Sequence, residues 1–171
     1  MVEVKVVEKN PIIALTNDEI DILIHGVTCQ GVLAVGIARE IGITFPKVDL
    51  VNFNFVKEFN KIKHSILSKF SEWYGYNGSR KYGVINLYMQ VHPGQEEVSH
   101  IITRGLNNIL NTRGVKKKSG KPLRYGVTLL GTEFKKLSTD KSIQIIKDCI
   151  EMYSYLKDVE VDITIYKYEN S

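Results

Sequence analysis

The run from Ile20 to Val27 is short, mostly apolar and rich in β-branched side chains. Such a run is typical of a strand buried on both faces, in the middle of a sheet that helices cover on either side. The turn Thr28–Gly31 follows it directly, and Val32–Ile41 has a helical pattern. A buried strand, a small-residue turn and a helix in succession favour an α/β fold.

Strand-like and helix-like segments alternate along the rest of the chain. The predicted strands are Val2–Glu8, Ile20–Val27, Tyr82–Val91, Arg124–Leu130 and Val159–Tyr168. The predicted helices are Val32–Ile41, Leu50–Trp73 in one or two pieces, Val98–Leu110 and Thr139–Leu156. A loop is predicted at Gly75–Ser79. The pattern predicts an α/β sandwich that occupies all 171 residues as one domain.

The composition excludes several classes of protein. Hydrophobic residues make up 43% and charged residues 25%, which are ordinary globular values and exclude a disordered or collagen-like chain. No stretch approaches the roughly 20 apolar residues that span a bilayer, and the N-terminus lacks the apolar region of a signal peptide. Two cysteines, Cys29 and Cys149, are too few for a disulfide scaffold. We therefore expect a cytoplasmic protein without a membrane partner.

The turn after the Ile20–Val27 strand is a candidate anion site. Helix N-termini present unpaired N–H groups and a partial positive charge, and glycines let the backbone approach a phosphate. In open α/β sheets, ligands bind where such turns follow an internal strand. The glycines lack the spacing of a dinucleotide-binding or P-loop motif, so neither of those sites is predicted.

The segment LIHGVTCQGVLAVGIAREIGITFP, from Leu23 to Pro46, resembles the signature of the macro domain family. The resemblance is to the branch that includes ADP-ribose-1''-phosphate phosphatases, ADP-ribosyl-ester hydrolases and phage proteins, which suggests a phage or bacterial source. INLYMQVHPG resembles that family's central strand, and LLGTEF its second phosphate loop. The resemblance spans Val2 to Tyr168 and implies a three-layer α/β/α sandwich around a mixed sheet, with a cleft for ADP-ribose.

By this resemblance, the ligand contacts fall on the two phosphate loops and on the adenine position near the first strand. They are Asn10, Thr28, Gln30, Gly31, Val32, Leu33, Gly36, Ile37, Gly131, Thr132, Glu133 and Phe134. Backbone amides of the two loops would hold the phosphates. His25 occupies the position of the phosphatases' histidine and is the predicted base or proton relay, since its ordinary pKa suits proton transfer near neutrality. No metal or redox cofactor is predicted.

The chain departs from the family pattern at several of these positions. Thr28 replaces an asparagine, Ala34 a glycine and Asn10 an aspartate. The second loop has one glycine, and its Glu133 places an anion where a diphosphate would lie. Gln90 and Lys135 stand where the ester hydrolases use a lysine and an aspartate, so ester hydrolysis is not predicted.

Three functions therefore remain open. The first is dephosphorylation of ADP-ribose-1''-phosphate, and the second is a non-catalytic module that binds ADP-ribose. The third is a nucleic-acid accessory protein that uses the basic loop from Lys116 to Arg124, but a net charge of only +4 argues against a nucleic-acid partner.

Two buried polar residues have structural alternatives. His25 could be a core histidine that bonds a neighbouring residue instead of a base. Asn86 lies on a predicted buried strand, so its side chain needs a hydrogen-bond partner.

Overall fold

The computed structural model describes residues 4–33, 35–60, 66–90, 97–132 and 137–168, which form six strands and five helices. The strands are β1 (Lys5–Val7), β2 (Ile22–Thr28), β3 (Phe70–Asn77), β4 (Arg80–Gln90), β5 (Arg124–Thr128) and β6 (Asp162–Tyr166). The helices are α1 (Pro11–Thr16), α2 (Gly36–Thr44), α3 (Pro46–Glu58), α4 (Val98–Arg113) and α5 (Thr139–Lys157).

The strands form one mixed sheet in the order β1-β6-β5-β2-β4-β3. Every neighbouring pair is parallel except β3 and β4, which are antiparallel. The five parallel strands therefore end at the same edge of the sheet, which we call the carboxyl edge. They begin at the opposite edge, which we call the amino edge.

Helices cover both faces of the sheet. One face packs against α1, α2 and α3 through residues such as Leu15, Ile41 and Val48. The other packs against α4 and α5 through residues such as Leu106 and Ile150. The three-layer α/β/α sandwich predicted from the sequence is confirmed.

Two helices near the N-terminus differ from the prediction. α1 was not predicted, because its six residues are too few to show a helical period; Asn10 begins it by accepting a hydrogen bond at Oδ1 from the N–H of Ile12, at 2.9 Å. α2 starts at Gly36 instead of Val32, since Val35 has an extended backbone and Gly31 and Gly36 have positive φ angles of 85° and 58°.

The predicted helix Leu50–Trp73 is wrong at its C-terminal end, and its residues 61–65 lie outside the described part of the chain. Helix α3 ends at Glu58, and Phe70–Asn77 is strand β3. The apolar side chains kept a helical spacing across this boundary with no glycine or proline to interrupt them. Trp73 packs against Phe45 and Tyr82, at ring-centroid distances of 5.5 and 5.7 Å, so tertiary contacts outweighed the local pattern.

The predicted loop at Gly75–Ser79 is mostly strand. Asn77 pairs with Arg80, so only Gly78 and Ser79 remain to form the hairpin turn between β3 and β4. Gly78 has a φ of 62°, as two-residue hairpin turns require.

The remaining predicted elements agree with the structure to within a few residues. Helix α5 begins after Ser138, whose Oγ accepts a hydrogen bond from the N–H of Lys141 at 3.1 Å. Cys29 and Cys149 are buried on opposite faces of the sheet and form no disulfide. Among the described residues, no helix combines the length and apolar character needed to cross a membrane.

Candidate ligand-binding crevice

A ligand crevice is expected at the carboxyl edge of the sheet, where the chain leaves β2 and its neighbour β5 toward opposite faces. After β2 it continues to α2 and α3, whereas after β5 it continues to α5. Ligands of open α/β sheets bind where neighbouring connections diverge in this way. Gly26 leaves room here for the side chains of Met89 and Leu130, because an added Cβ would lie 2.9 Å from Met89 Cγ and 3.4 Å from Leu130 Cδ2.

Buried and exposed residues alternate in the first predicted phosphate loop. Gly31 is buried against Val56, and Leu33 is buried in the core. Gln30, Val32 and Val35 are exposed. Of the contacts predicted here, Gly31 and Leu33 could therefore meet a ligand through their backbone only.

The N-terminus of α2 has N–H groups without a side-chain cap, next to open space. Val35, at the N-cap, supplies no side-chain hydrogen bond to the first turn. A Cβ added to Gly36 would have no heavy atom within 4 Å, so the space beside the first turn is open. Ile37 is half-buried, and its backbone N–H belongs to this turn. Uncapped N–H groups and open space are what an oxyanion needs.

The second predicted loop follows β5. Gly131 has a φ of 81°, and its carbonyl oxygen accepts a hydrogen bond from the N–H of Leu137 at 3.0 Å. The Thr132 hydroxyl donates to the carbonyl oxygen of Leu129 at 3.1 Å, so it stabilises the turn itself. Glu133 and Phe134 lie outside the described residues, and their contacts stay predictions.

Gly131→Ala is expected to destabilise the protein by about 3 kcal/mol. A new Cβ would lie 2.6 Å from Val98 and 2.8 Å from Leu137, and it would add overpacking to the strain of a positive φ. Urea unfolding measures the loss. Gly120→Ala is the matched control, because Gly120 has a φ of 88° and open space around it. Equal losses in the two variants would mean that the crevice loop adapts to the extra methyl group.

The other two predicted contacts lie at the same edge. Thr28 ends β2 beside Gln90, just past an irregularity in the strand register. Asn10 follows β1, three strands away from β2 in the sheet, or about 14 Å at the usual strand spacing. A ligand that reached both positions would have to be extended across the edge.

His25 lies inside the protein, in the middle of β2. Its Nε2 is 2.6 Å from Asn86 Oδ1, and Asn86 Nδ2 donates to Ser71 Oγ at 3.1 Å. Ser71 Oγ lies 2.8 Å from the hydroxyl of Tyr88, which donates to Asn52 Oδ1 at 2.9 Å. All five side chains are buried, and together they link β2, β4, β3 and α3. We call them the buried polar chain.

The buried polar chain has one direction of donation. An amide oxygen only accepts, so His25 Nε2 carries the proton and donates to Asn86. His25 Nδ1 has no hydrogen-bond partner among the described residues. A neutral imidazole with its lone pair on Nδ1 fits this environment, because a charged ring would bury its charge and leave a second N–H without an acceptor there. Burial lowers the pKa of His25 to about 4, against a smaller raising effect of the bond to Asn86.

This geometry bears on both interpretations of His25. The side chain has 0% exposure, and the partner that Asn86 needed is His25 itself. These facts fit a core histidine. Its role as a base stays a prediction, which requires the ring to reach a ligand.

Sequence reasoning missed three residues around His25. Two of them, Asn52 and Ser71, complete the buried polar chain together with Tyr88. The third is Thr128, which comes beside His25 when the β2–β5 register is continued by one pair. Its buried hydroxyl, like His25 Nδ1, has no hydrogen-bond partner among the described residues. A polar residue at the end of an apolar strand is the signal that could have identified Thr128, whereas Ser71 lies in a segment that was predicted as helix.

Apart from His25, the structure describes one histidine, His100, which is exposed on α4. His64, His92, Lys135 and the side chain of Gln90 lie outside the described residues. Within the described part of the chain, no three His, Cys, Asp or Glu side chains cluster so as to hold a metal ion.

Comparison with known proteins identifies the fold. No family model matches the sequence, and no curated protein matches it. Among solved structures, the macrodomain of Mycobacterium tuberculosis DarG has a TM-score of 0.70 and 17% identity, covering 100% of this chain and 99% of that one. The macrodomain of Thermus aquaticus DarG has a TM-score of 0.69 and 16% identity, with 98% and 99% covered.

A third structure is Thermosipho africanus DarTG in complex with ADP-ribose. It has a TM-score of 0.63 and 20% identity, and the match covers 89% of this chain but 39% of that longer one. At these identities the likeness concerns the fold. Because the two DarG macrodomains align over essentially their whole length, the chain has the macrodomain fold.

Proposed function

We propose that the protein binds ADP-ribose, or a close derivative, in the crevice at the carboxyl edge. The observation that carries the proposal is the uncapped N-terminus of α2, which opens beside Gly36 where the connections after β2 and β5 diverge. The ADP-ribose complex of a protein with the same fold supports the choice of ligand.

The diphosphate would lie between the two loops. N–H groups from 31–37 would meet it on one side, and those of Gly131 and Thr132 on the other. Oriented amides stabilise an oxyanion without the cost of desolvating a second full charge. Glu133 and Phe134 are proposed contacts of the same loop.

The adenine would lie toward α1. Asn10 Oδ1 already caps that helix, so a purine would meet its remaining lone pair or its Nδ2 donors. Thr28 would supply a hydroxyl near the ribose, where the related sequences carry an amide.

A second candidate function is removal of phosphate from ADP-ribose-1''-phosphate, with His25 as the base. The observation in its favour is the neutral imidazole with an unpartnered Nδ1. The burial of the ring opposes it, because a general base must come within hydrogen-bond reach of the proton that it removes. We therefore favour binding without turnover as the primary function.

Calorimetry with ADP-ribose tests the proposal, and phosphate release from the 1''-phosphate separates the two candidates. We expect ADP-ribose to bind, and AMP to bind more weakly because it offers one phosphate to the two loops. No heat with ADP-ribose would contradict the proposed function. Phosphate release that His25→Ala reduces about 100-fold or more, in a variant still folded by thermal unfolding, would establish the phosphatase instead.

A further inference from the structure

A second concave surface lies at the amino edge of the sheet, opposite the edge where the crevice is expected. It is a cleft of about 640 Å³ between the β3–β4 hairpin, the start of β5, the end of α4 and the basic loop 116–119. Seven residues of β2 separate the two edges, or about 20 Å of strand. A ligand in this cleft would not touch the ADP-ribose crevice.

The positive charge of the protein is concentrated in this cleft. Its lining carries seven Lys and Arg side chains and two Asp side chains, a net charge of +5, while the whole chain carries +4. One of these cations, Arg113, is paired with Glu72 at 3.1 Å. The rest of the surface is therefore close to neutral. The modest whole-chain charge, which argued against a nucleic-acid partner, conceals this asymmetry.

Two aspartates hold part of the lining in place. Asp21 is 3% exposed and accepts hydrogen bonds from the backbone and guanidinium of Arg124, and its Oδ1 lies 3.1 Å from Lys117 Nζ. Burial opposes ionisation of Asp21, but these bonds and the charge of Arg124 outweigh it and hold the pKa below its usual range. Asp18 joins Arg80 to Arg124. The cleft therefore has a fixed cationic back wall.

Three lysines at the rim have no such partner. Within the described ranges, no carboxylate lies within ion-pair distance of Lys81, Lys116 or Lys118, and all three are exposed. Their ammonium groups can meet a ligand's phosphates without breaking an existing ion pair.

Tyrosine rings lie between the cations that line the cleft. Lys81 Nζ lies 4.6 Å from the ring centre of Tyr74, and the Arg80 guanidinium lies 5.2 Å from that of Tyr82. Tyr76 also lines the cleft and is 68% exposed. An exposed aromatic ring among lysines offers a planar surface to a base and cations to the neighbouring phosphates.

We propose that this cleft binds single-stranded nucleic acid. Phosphates would pair with Lys116, Lys118 and Lys81, and a base would stack on Tyr76. A single strand fits better than a duplex because a concave cleft with a ring inside it needs an unstacked base. A membrane surface would suit a flat or protruding patch rather than this recess. The proposal is independent of ADP-ribose binding.

The test is fluorescence anisotropy with a labelled oligothymidylate of about a dozen nucleotides, over a series of salt concentrations. We expect affinity to fall steeply with salt. In the double variant Lys116→Gln/Lys118→Gln, the slope of log affinity against log salt should become shallower by about 1.4, since each phosphate contact to a single strand contributes about 0.7. Tyr76→Ala should weaken binding about tenfold.

Matched variants elsewhere on the surface are the controls. Lys57→Gln/Lys141→Gln removes two exposed lysines from α3 and α5, and Tyr155→Ala removes an 83%-exposed ring from α5. Both should bind the oligonucleotide as the wild type does. ADP-ribose binding, measured by calorimetry, should be unchanged in the cleft variants. If folded cleft variants lost both ligands together, the separate site would be wrong.

Three other results would overturn the proposal. One is the absence of salt-dependent oligonucleotide binding. Another is equal binding of inorganic polyphosphate with no effect of Tyr76→Ala, which would indicate a general anion site. The third is binding to phosphatidylserine vesicles but not to the oligonucleotide, which would indicate a membrane surface.

Discussion

Gly36→Glu is expected to abolish ADP-ribose binding, with a loss of at least about 100-fold in affinity. Gly36 is the first residue of α2, and its missing side chain leaves open space beside the uncapped first turn. A glutamate there would bring its own carboxylate to the positive end of the helix. It would both occupy the anion site and repel the diphosphate. Calorimetry with ADP-ribose measures the change.

Two control variants separate this charge effect from backbone strain. Gly36→Ala keeps the strain of a φ of 58° without the charge, so it should lose some stability but retain most of the affinity. Gly78→Glu places the same charge at a φ of 62°, also in open space, in the remote β3–β4 turn, and should bind ADP-ribose normally. Wild-type affinity in a folded Gly36→Glu protein would exclude the N-terminus of α2 from the ligand site.

Acidification from pH 7 to pH 4.5 is expected to lower the free energy of unfolding by about 2 kcal/mol through His25 alone. The folded-state pKa of His25 is about 4, below the ordinary value of 6.5. Between these values the unfolded chain binds a proton that the folded chain excludes, so stability is complete above about pH 6.5 and is lost as the pH falls toward 4. The full loss, reached below pH 4, is about 3 kcal/mol.

The physical reason lies in the buried polar chain. A proton on Nδ1 would create a charge and a second donor in the core, and no described residue there accepts a hydrogen bond from it. Because Asn86 already accepts from Nε2 and donates to Ser71, it cannot turn to help without breaking the next bond. Protonation therefore favours the unfolded state.

Urea unfolding of the wild type and of His25→Gln at both pH values measures the effect. The glutamine amide can still donate to Asn86 but does not titrate, so the difference between the two proteins removes the contribution of other histidines. The carboxyl groups of Asp18 and Asp21, whose pKa values lie below the ordinary range, affect stability mainly at lower pH. Parallel pH dependence in the two proteins would mean that the imidazole takes up protons in the folded state, as a catalytic base at a ligand surface would.

Local sequence patterns predicted most of the fold. β2 was predicted from an apolar run, α4 and α5 from amphipathic stripes, and β6 from alternating residues. In each of these elements the apolar residues follow the pattern that its own secondary structure requires. The prediction failed from Phe70 onward, where a helical spacing of apolar residues continued into a strand. Phe70–Asn77 is a strand because it pairs with β4 and buries Trp73 against Phe45, and neither interaction is encoded in its own spacing.

The sequence by itself also predicted where an anion could bind, because the glycines after β2 and β5 indicate both loops without reference to the position of the strands in the sheet. Only the tertiary structure decided what His25 contacts, because Asn86, Ser71, Tyr88 and Asn52 come from other elements. The same holds for the cationic cleft, whose residues from 18 to 124 meet only when the amino ends of β2, β4 and β5 align. The physical reason is range: capping and turn chemistry act within a few residues, whereas burial and charge concentration depend on neighbours that folding brings together.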